Sequence, residues 1–345
     1  MNNTNNGLKR LLKRIRAFTP VNSTVRLLIR LQTNFYSKVF RFFSTHWPVS
    51  GFVKFYLPNG EKVKIYSHSD DYIASQVFWK GYKAYEGPSV EAFYYLSKKS
   101  SVIFDIGSNT GYFTLVGAFS NPKSNVHSFE PVDRIYARLN LNIKINNLLN
   151  VKTVNSVAGN SDNPVKFYLP KGEDMVMAGS TKKEWAKLHD VYGADTRLFT
   201  TNTDAEKANE AREIEVPSIT LDTYKKNNKV PKIDLIKMDC ECHEIEVLNG
   251  MAGILKEDKP IILMEVVFDT EWLSGHSEMA TYLEIERMMK ANGYYFYLIV
   301  GEALIKVDKL EHNPNERNYL FSTHGSQKTY LPFSEIDSLH GSTSN

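Results

Sequence analysis

Residues 101–115 read SVIFDIGSNTGYFTL, and this stretch decides the fold. Its first six residues are a nearly continuous apolar run, which is typical of a strand buried on both faces of a sheet. Gly107 and Gly111 then let the backbone turn tightly, and the residues after the turn predict a helix over 110–120. A buried strand, a glycine turn and a helix are the opening unit of a doubly wound α/β sheet.

The alternation of apolar strands and single helices continues along the chain. Helical patterns follow at 133–146, 243–251 and 277–293, and the last is long and amphipathic. Two apolar segments, 294–300 and 303–307, have no helix between them, which predicts an antiparallel pair. Predicted parallel strands occupy 101–106, 125–130, 151–157, 233–239 and 260–267. We therefore expect an α/β fold with a doubly wound, mostly parallel, Rossmann-like sheet and an antiparallel closing edge.

Further regions are predicted on either side of this sheet. Residues 1–50 are expected to form a basic amphipathic helical arm, and 51–100 a β-hairpin followed by a helical lead-in. The sheet domain spans 101–325 and contains a polar insertion at 170–212, a length typical of a lid or a binding segment. Residues 326–345 are expected to form a C-terminal tail.

Charge is distributed unevenly along the chain. Residues 1–60 contain ten Lys or Arg and no Asp or Glu, whereas the remainder carries a net charge of −7. Arginine interrupts the apolar runs of the arm, so no membrane-spanning helix is expected there. Three interpretations of the arm stay open: helices packed on the body, peripheral contact of residues 8–43 with an anionic membrane or polyanion, and an organellar transit peptide.

The cysteine content indicates the compartment. Cys240 and Cys242 are the only cysteines, and two cysteines one residue apart cannot form a disulfide framework, which is typical of a reducing environment. No short apolar core leads to a small-residue cleavage site, so secretion is not expected. We expect a cytoplasmic protein that can also lie peripherally at the membrane.

The glycine turn at 104–113, FDIGSNTGYF, lies where open parallel sheets bind ligands, beyond the carboxyl ends of the strands. A dinucleotide fingerprint would need glycine at Asn109 and Tyr112, and the P-loop pattern is absent. A hydrolase elbow would need a nucleophile at Asn109. The pattern therefore favours an adenosyl cofactor without phosphates, with these candidate ligands: Asp105, Gly107, Asn109, Gly111 and Glu130.

Glu130 ends the second predicted strand about 20 residues beyond the glycine turn. An acid at this place can accept hydrogen bonds from both ribose hydroxyls of an adenosine. The alternative is that Glu130 only caps the helix that starts near Asp133. Because Asp105, the glycine turn and Glu130 occur in register, we favour the cofactor-binding interpretation.

Five segments resemble successive motifs of the FkbM-type methyltransferases: VIFDIGSNTGYFTL, HSFEP, VPSITLDTY, IDLIKMDCECHEIEVLNGM and PIILMEVV. Upstream, FWKGYKAYEGPSVEAF is similar to the segment that precedes the glycine loop of that family. The resemblance covers 52–322 and leaves the arm outside. It implies a class I methyltransferase that uses S-adenosyl-L-methionine as its cofactor.

The segment DCECHE, residues 239–244, departs from the family pattern K-x-D-x-E-G-x-E at Cys242, where glycine is usual. No second Cys/His cluster completes a zinc site, and neighbouring carboxylates oppose a thiolate, so neither a metal nor a reactive cysteine is expected. Strand alternation predicts that Asp239 and Glu241 share a face while Cys240 points to the other side. An acidic pocket is the favoured interpretation.

Such a pocket can orient or deprotonate the group that accepts the methyl. The candidates, in order, are Asp239, Glu241 and Glu265, with His243 as a proton relay because imidazole titrates near neutral pH. The resemblance implies O-methylation of a hydroxyl on a sugar, glycan precursor or polyketide-like small molecule, and clustered carboxylates suit an acceptor with several hydroxyls.

Other partners and activities receive less support. The Asn/Asp-Pro-Pro-Tyr pattern of base-amine methylation is absent and no RNA-binding module is visible, so no nucleic-acid partner is expected for the enzyme. One alternative is a non-catalytic adaptor that binds anionic membrane or nucleic acid through the basic arm. A nicotinamide oxidoreductase is a second alternative, which the glycine spacing disfavours. No sequence feature specifies an oligomeric state.

Overall fold

The computed structural model describes residues 49–170, 178–192, 211–268, 281–313 and 316–340, together with Thr24 and Leu27. The predicted helical arm over 1–50 therefore lies almost entirely outside the described residues. Within the described ranges, no helix combines the length and the hydrophobicity that crossing a bilayer requires.

The described residues form fifteen β-strands, numbered here in chain order. They are β1 (Ser50–Tyr56), β2 (Lys62–His68), β3 (Val102–Ile106), β4 (Asn125–Phe129), β5 (Val151–Val154), β6 (Val157–Ala158), β7 (Val165–Leu169), β8 (Arg212–Val216), β9 (Ser218–Ile219), β10 (Leu235–Met238), β11 (Ile261–Glu265), β12 (Tyr295–Val300), β13 (Ala303–Val307), β14 (Asn318–Ser322) and β15 (Tyr330–Pro332).

The same part of the chain forms nine α-helices. They are α1 (Tyr72–Lys80), α2 (Gly87–Ser97), α3 (Tyr112–Ser120), α4 (Asp133–Ile145), α5 (Lys183–Tyr192), α6 (Leu221–Asn227), α7 (Glu244–Asn249), α8 (Ala252–Glu257) and α9 (Tyr282–Ala291). Side chains cap two of them: Asp71 Oδ1 accepts the Ala74 N–H at 2.9 Å before α1, and Thr220 Oγ1 accepts the Thr223 N–H at 3.2 Å before α6.

A nine-stranded sheet lies at the centre, in the order β15-β13-β12-β14-β11-β10-β3-β4-β5. The five strands from β11 to β5 are parallel neighbours. At the other end of the sheet all pairings are antiparallel. Strands β12 and β15 therefore run in the same direction as these five, whereas β13 and β14 run in the opposite direction. Seven of the nine strands therefore share one direction, and the prediction of a mixed α/β fold with a mostly parallel central sheet is confirmed.

The sheet is buried on both faces, which explains why its central strands read as apolar runs. Along β3, Ile103 packs into the cluster on one face, whereas Phe104 packs into the cluster on the other. Successive side chains of a strand point to opposite faces, so each residue of β3 needs an apolar side chain unless it serves the site. Asp105 is the exception in this strand.

The closing edge is more complex than the sequence predicts. The expected antiparallel pair exists as β12 and β13, but β14 inserts between β11 and β12, and β15 adds a strand beyond β13. Residues 330–340, within the predicted C-terminal tail, form β15 and a 3-10 helix (Phe333–His340) whose Leu339 is fully buried. The tail prediction is corrected for these residues, because their apolar side chains join the core on one sheet face.

The segment before the glycine turn brings side chains to the site. Strands β1 and β2 pair antiparallel, and their side chains, with those of α1 and α2, share a core with one face of the sheet. Between α1 and α2 the chain crosses near the carboxyl ends of the parallel strands and carries Tyr85 and Glu86 there. Glu86 adopts a left-handed backbone conformation with φ +44°, which is uncommon for a residue other than glycine.

The predicted insertion at 170–212 begins and ends on the antiparallel pair β7 and β8. Its described part includes Ser180, which bridges to Tyr168, and helix α5. Trp185 and Ala186 of α5 pack against Cys242. The insertion therefore contacts the turn that carries the acidic motif.

Candidate active site

A cleft opens at the carboxyl ends of β3, β4 and β10. β3 lies between β10 and β4 in the sheet, so the order of strands reverses there, which is where open α/β sheets bind ligands. The lining includes seven of the nine site residues named from the sequence, together with Lys237: Asp105, Gly107, Asn109, Glu130, Asp239, Glu241 and His243. Gly111 and Glu265 lie outside this lining.

The glycine turn approaches the acidic motif at backbone distance. Gly107 has φ +76°, and a Cβ built on it would lie 1.9 Å from the carbonyl oxygen of Asp239. Only glycine fits this contact. Gly111 has φ +93°, and its Cβ would lie 2.6 Å from Leu139 Cδ1, so this glycine lets α3 and α4 pack closely. The structure thus gives Gly111 a packing role rather than a place in the cleft.

Asp105 lies at the end of β3 and is almost fully buried. Its Oδ2 accepts a hydrogen bond from Thr114 Oγ1 at 2.6 Å, and Thr114 is in turn 2.7 Å from Ser128 Oγ. Burial raises the pKa of Asp105 to about 6, although the Thr114 hydrogen bond opposes this shift. Asp105 therefore anchors the start of the glycine turn to α3.

Both carboxyl oxygens of Glu130 accept hydrogen bonds from backbone N–H groups. Its Oε2 accepts the Asn109 N–H at 3.1 Å, which ties it to the glycine turn. Its Oε1 accepts the Val132 N–H at 2.9 Å, and Val132 precedes the first residue of α4, so the carboxylate also supports that helix start. Burial raises the pKa of Glu130 to about 7. Each oxygen keeps a lone pair that a ligand in the cleft can use.

The acidic motif follows β10 as a turn rather than as a continued strand. Glu241 and Cys242 have φ +54° and +70°, two successive left-handed residues, which gives a physical reason for the glycine usual at the second position. Strand β10 ends at Met238, and Cys240 packs against the apolar cluster on one face of the sheet, as strand alternation predicts, while it also borders the cleft. The Cys242 side chain is fully buried against Trp185 and Ala186.

A buried lysine organises the carboxylates of the site. Lys237 is 1% exposed, and its Nζ lies 3.5 Å from Asp239 Oδ2, 3.4 Å from Glu86 Oε2 and 4.8 Å from the centre of the Phe113 ring. Burial disfavours the charged amine, but Asp239 and Glu86 outweigh it and hold the pKa of Lys237 above its ordinary value. Lys237 is therefore an ammonium held between two carboxyl groups.

Two further carboxyl groups extend this cluster. Burial, together with Asp239 and Glu86, raises the pKa of Glu265 to about 8. Burial, with Asp239 and Glu265, raises the pKa of Glu241 well above its usual range. The raised pKa favours the protonated form of Glu241, which can donate a hydrogen bond, whereas Glu265 changes its protonation near the pH at which a general base works best.

The burial and the protonation of His243 differ from those that the sequence predicts. Its Nδ1 lies 2.8 Å from Thr181 Oγ1 of the insertion, and its Nε2 has no hydrogen-bond partner within the described ranges. Burial lowers the pKa of His243 to about 4, so the ring is neutral at pH 7. The expectation that it relays protons near neutral pH is wrong, because the ring is too deeply buried to hold the extra proton.

The thiols and carboxylates of the motif are not arranged as ion ligands. Over the described ranges, no group of three or more His, Cys, Asp or Glu side chains is arranged to hold a metal ion. Burial and Glu244 raise the pKa of the Cys240 thiol well above its ordinary value, and burial also raises that of Cys242. Both cysteines are thiols at neutral pH and lack the thiolate that a nucleophile needs.

The sequence patterns did not reveal two participants, Tyr85 and Glu86. Glu86 lies in the segment YEGP, and a carboxylate immediately before Gly-Pro at a helix start was the available signal. Its contact with Lys237 joins residues 151 positions apart, and no local pattern predicts such a contact.

Glu244 offers a test of how buried carboxyl groups limit stability. It is 2% exposed, its Oε1 accepts the Cys240 N–H at 3.0 Å, and burial raises its pKa from 4.5 to about 7. Below pH 4.5 the Glu244 carboxyl group is protonated in both the folded and the unfolded protein. Between pH 4.5 and 7 the unfolded chain releases this proton more readily than the folded protein does. The free energy of unfolding of the wild type therefore falls as the pH rises, by on the order of 3 kcal/mol.

We expect Glu244→Gln to keep the accepting oxygen and to remove this loss. The variant should match the wild type in urea unfolding near pH 4.5 and exceed it at pH 8. Glu257→Gln, at an exposed position at the end of α8, serves as the control. A variant that is less stable at both pH values would contradict the assignment of a buried, protonated Glu244.

The sequence and the fold were compared with known proteins. The family model described as the methyltransferase FkbM domain matches residues 105–296, more than half of the chain. A curated relative, the 31-O-demethyl-FK506 methyltransferase FkbM of Streptomyces tacrolimicus, is 24% identical over 204 residues, which cover 57% of this chain and 74% of the relative.

Solved structures of methyltransferases also resemble the chain. The methyltransferase FkbM of Methylobacillus flagellatus KT has a TM-score of 0.37 and 12% identity, over 64% of this chain and 43% of that one. The precorrin-6y C5,15-methyltransferase of Geobacter metallireducens GS-15 has a TM-score of 0.33 and 12% identity, over 68% of this chain and 85% of that one. This chain thus spans less than half of the Methylobacillus protein, and at these TM-scores neither likeness bears on function. The family match rests on residues 105–296, which hold the glycine turn, Glu130 and the acidic motif, and by it the chain belongs to the FkbM methyltransferase family.

Proposed function

We propose that the protein is an S-adenosylmethionine-dependent methyltransferase that methylates a hydroxyl of a sugar, glycan precursor or related small molecule. The observation that carries this proposal is the position of Asp239. Its backbone contacts the glycine turn of the cleft, while its side chain belongs to the carboxyl cluster around Lys237. Asp239 thus joins the cleft proposed for the nucleoside to the carboxyl groups that can accept a proton. Methyl transfer to a hydroxyl requires both, because the methyl donor must be aligned with the hydroxyl and the hydroxyl proton must be removed.

The cleft suits the adenosyl cofactor. Glu130 keeps free lone pairs for ribose hydroxyls, and its hydrogen bond from the Asn109 N–H places them beside the glycine turn. The unpartnered Nε2 of His243 is a buried polar atom on the cleft wall, which a ligand nitrogen or oxygen could satisfy. When bound, S-adenosylmethionine supplies the methyl group, and its sulfur retains the electron pair of the broken bond.

The carboxyl cluster suits the acceptor. As the hydroxyl oxygen forms its new bond to carbon, its proton must leave, and Glu265 or Asp239 can accept it. The Lys237 ammonium, beside Asp239, can stabilise the negative charge that builds up on that oxygen as its proton leaves. Protonated Glu241 can donate a hydrogen bond, which orients a neighbouring oxygen of the acceptor.

Calorimetry with S-adenosylhomocysteine tests the cofactor half of the proposal. We expect Glu130→Ala to weaken binding by about 10–100-fold, since two hydrogen bonds from ribose hydroxyls to the carboxylate are lost. Glu130→Gln, which keeps the shape and one accepting oxygen, should lose less. Glu61→Ala, in the exposed turn between β1 and β2, is the matched control.

Thermal unfolding of each variant shows whether the loop contacts of Glu130 hold the fold. If the folded wild type does not bind S-adenosylhomocysteine, or if Glu130→Ala binds as the wild type does, the proposed function is refuted. Mass spectrometry of cell extracts incubated with an isotopically labelled methyl donor then identifies the acceptor.

A further inference from the structure

A second cavity lies beside the cleft, and Tyr85 lines both. It has a volume of about 390 Å³, and its wall includes Glu86, Glu265, Arg317 and Asn318. We propose that this cavity is the acceptor subsite and that it binds a neutral ring bearing several hydroxyls, with Asn318 and Arg317 as specificity-determining residues. The inference rests on the proposed methyl transfer and adds to it where the acceptor lies and which chemistry selects it.

Asn318 is the residue that points to a ligand. It is 9% exposed, and its Oδ1 has no hydrogen-bond partner in the part of the chain that the structure describes. A buried, unpaired amide oxygen costs about 1–3 kcal/mol. Asn318 is directly opposite Glu265 across the antiparallel pair β11 and β14, so the two side chains are neighbours on the same sheet face. The unpaired oxygen therefore lies beside the carboxyl group proposed as a base.

The mixture of donors and acceptors selects the ligand class. Glu86, Glu265 and Glu316 offer accepting oxygens, whereas the Arg317 guanidinium, which also pairs with Glu265, donates and the Asn318 amide does both. A hydroxyl group can both donate and accept a hydrogen bond, so it can pair with each of these side chains. A phosphate can satisfy only the donors and is repelled by the carboxylates. An ammonium group can satisfy only the acceptors and leaves Arg317 without a partner from the ligand.

The position of the cavity connects it with methyl transfer. Arg317 Nη1 lies 3.7 Å from Glu265 Oε1, and Glu86 Oε2 lies 3.4 Å from Lys237 Nζ, so charged groups of the cavity reach the cluster that lines the cleft. Tyr85 lines both spaces, and an aromatic ring can pack against the C–H groups of a sugar ring. An acceptor in the cavity would thus lie against the carboxyl groups with one edge toward the cleft.

Ligand-observed saturation-transfer NMR on the full chain with S-adenosylhomocysteine present tests this proposal. The probes are methyl glucoside, glucose 6-phosphate and glucosamine at millimolar concentration. We expect the neutral glycoside to receive saturation and the phosphate to receive none. Asn318→Leu should weaken glycoside binding at least about tenfold while leaving the affinity for S-adenosylhomocysteine unchanged.

Thermal unfolding of Asn318→Leu separates a ligand-binding role from a structural one. Because the Asn318 oxygen has no partner to lose, the leucine variant should melt at the wild-type temperature or above it. A structural role would instead lower the melting temperature. Asn125→Leu, at the exposed start of β4, is the control for adding a leucine.

Each outcome has a distinct meaning. Absence of S-adenosylhomocysteine binding by the wild type would refute the proposed function. Binding of S-adenosylhomocysteine without saturation of the glycoside, preference for the phosphate or the amine, or undiminished glycoside binding by Asn318→Leu would each overturn the acceptor subsite alone.

Discussion

Replacing Glu265 with glutamine should lower kcat by about two to four orders of magnitude, the usual contribution of a general base. Glutamine keeps the shape of the side chain but cannot take the proton of the acceptor hydroxyl. Glu265 lies outside the lining of the cofactor cleft, so the affinity for S-adenosylhomocysteine should stay unchanged. The measurement is single-turnover transfer of labelled methyl to the acceptor, with Glu257→Gln as the control.

The pH dependence gives this variant a second, independent signature. The pKa of Glu265 is raised to about 8, so the wild-type rate should rise with pH up to that value as the carboxylate forms. Glu265→Gln should lose this rise along with most of its rate. If the variant kept both kcat and the wild-type pH profile, Asp239 would become the better assignment for the base, and Asp239→Asn would then carry the loss.

Replacing Gly107 with alanine should disrupt the site and destabilise the fold. The new Cβ would lie 1.9 Å from the Asp239 carbonyl oxygen, so the glycine turn and the acidic motif would have to move apart. Overpacking of a rigid contact and a left-handed alanine together cost on the order of 3 kcal/mol. If the glycine turn holds the cofactor as proposed, binding of S-adenosylhomocysteine should fall by at least about 100-fold, because the turn is displaced.

Gly293→Ala is the matched control for this prediction. Gly293 has φ +79°, close to the +76° of Gly107, but a Cβ there meets no heavy atom within 4 Å. It therefore measures the backbone penalty alone, about 1–2 kcal/mol, without the clash. Urea unfolding and calorimetry on both variants separate the two contributions. Equal losses in the two variants would mean that the close approach at Gly107 does not constrain the site.

The described part of the insertion gives a structural reason for Cys242, which replaces the usual glycine of the motif. The position of Cys242 is usually glycine in the family pattern, and its φ of +70° explains that preference. Here the thiol is buried against Trp185 and Ala186 of α5, and Ser180 Oγ donates to the Glu241 carbonyl at 2.6 Å. The side chain at 242 thus attaches the described part of the insertion to the acidic turn. From the sequence alone, Cys242 was a departure without a reason.

The sequence by itself determined the α/β class, the parallel strands and the location of the glycine turn. These features are local: a continuous apolar run predicts a strand buried on both faces, and glycines directly after such a run predict a tight turn. It also identified Asp105, Asn109, Glu130, Asp239 and Glu241, each at the end of a strand or in the turn after it, because the ends of parallel strands meet at one edge of the sheet.

Only the tertiary structure decided how the carboxyl groups are used. Glu86, Lys237 and Asn318 come from three distant segments, and their convergence depends on β14 inserting antiparallel beside β11. The protonation of His243, Glu241 and Glu265 depends on burial and on neighbouring charges, which composition and spacing do not specify. Local patterns fix where the chain turns, whereas the electrostatics of the site arise from contacts between residues far apart in sequence.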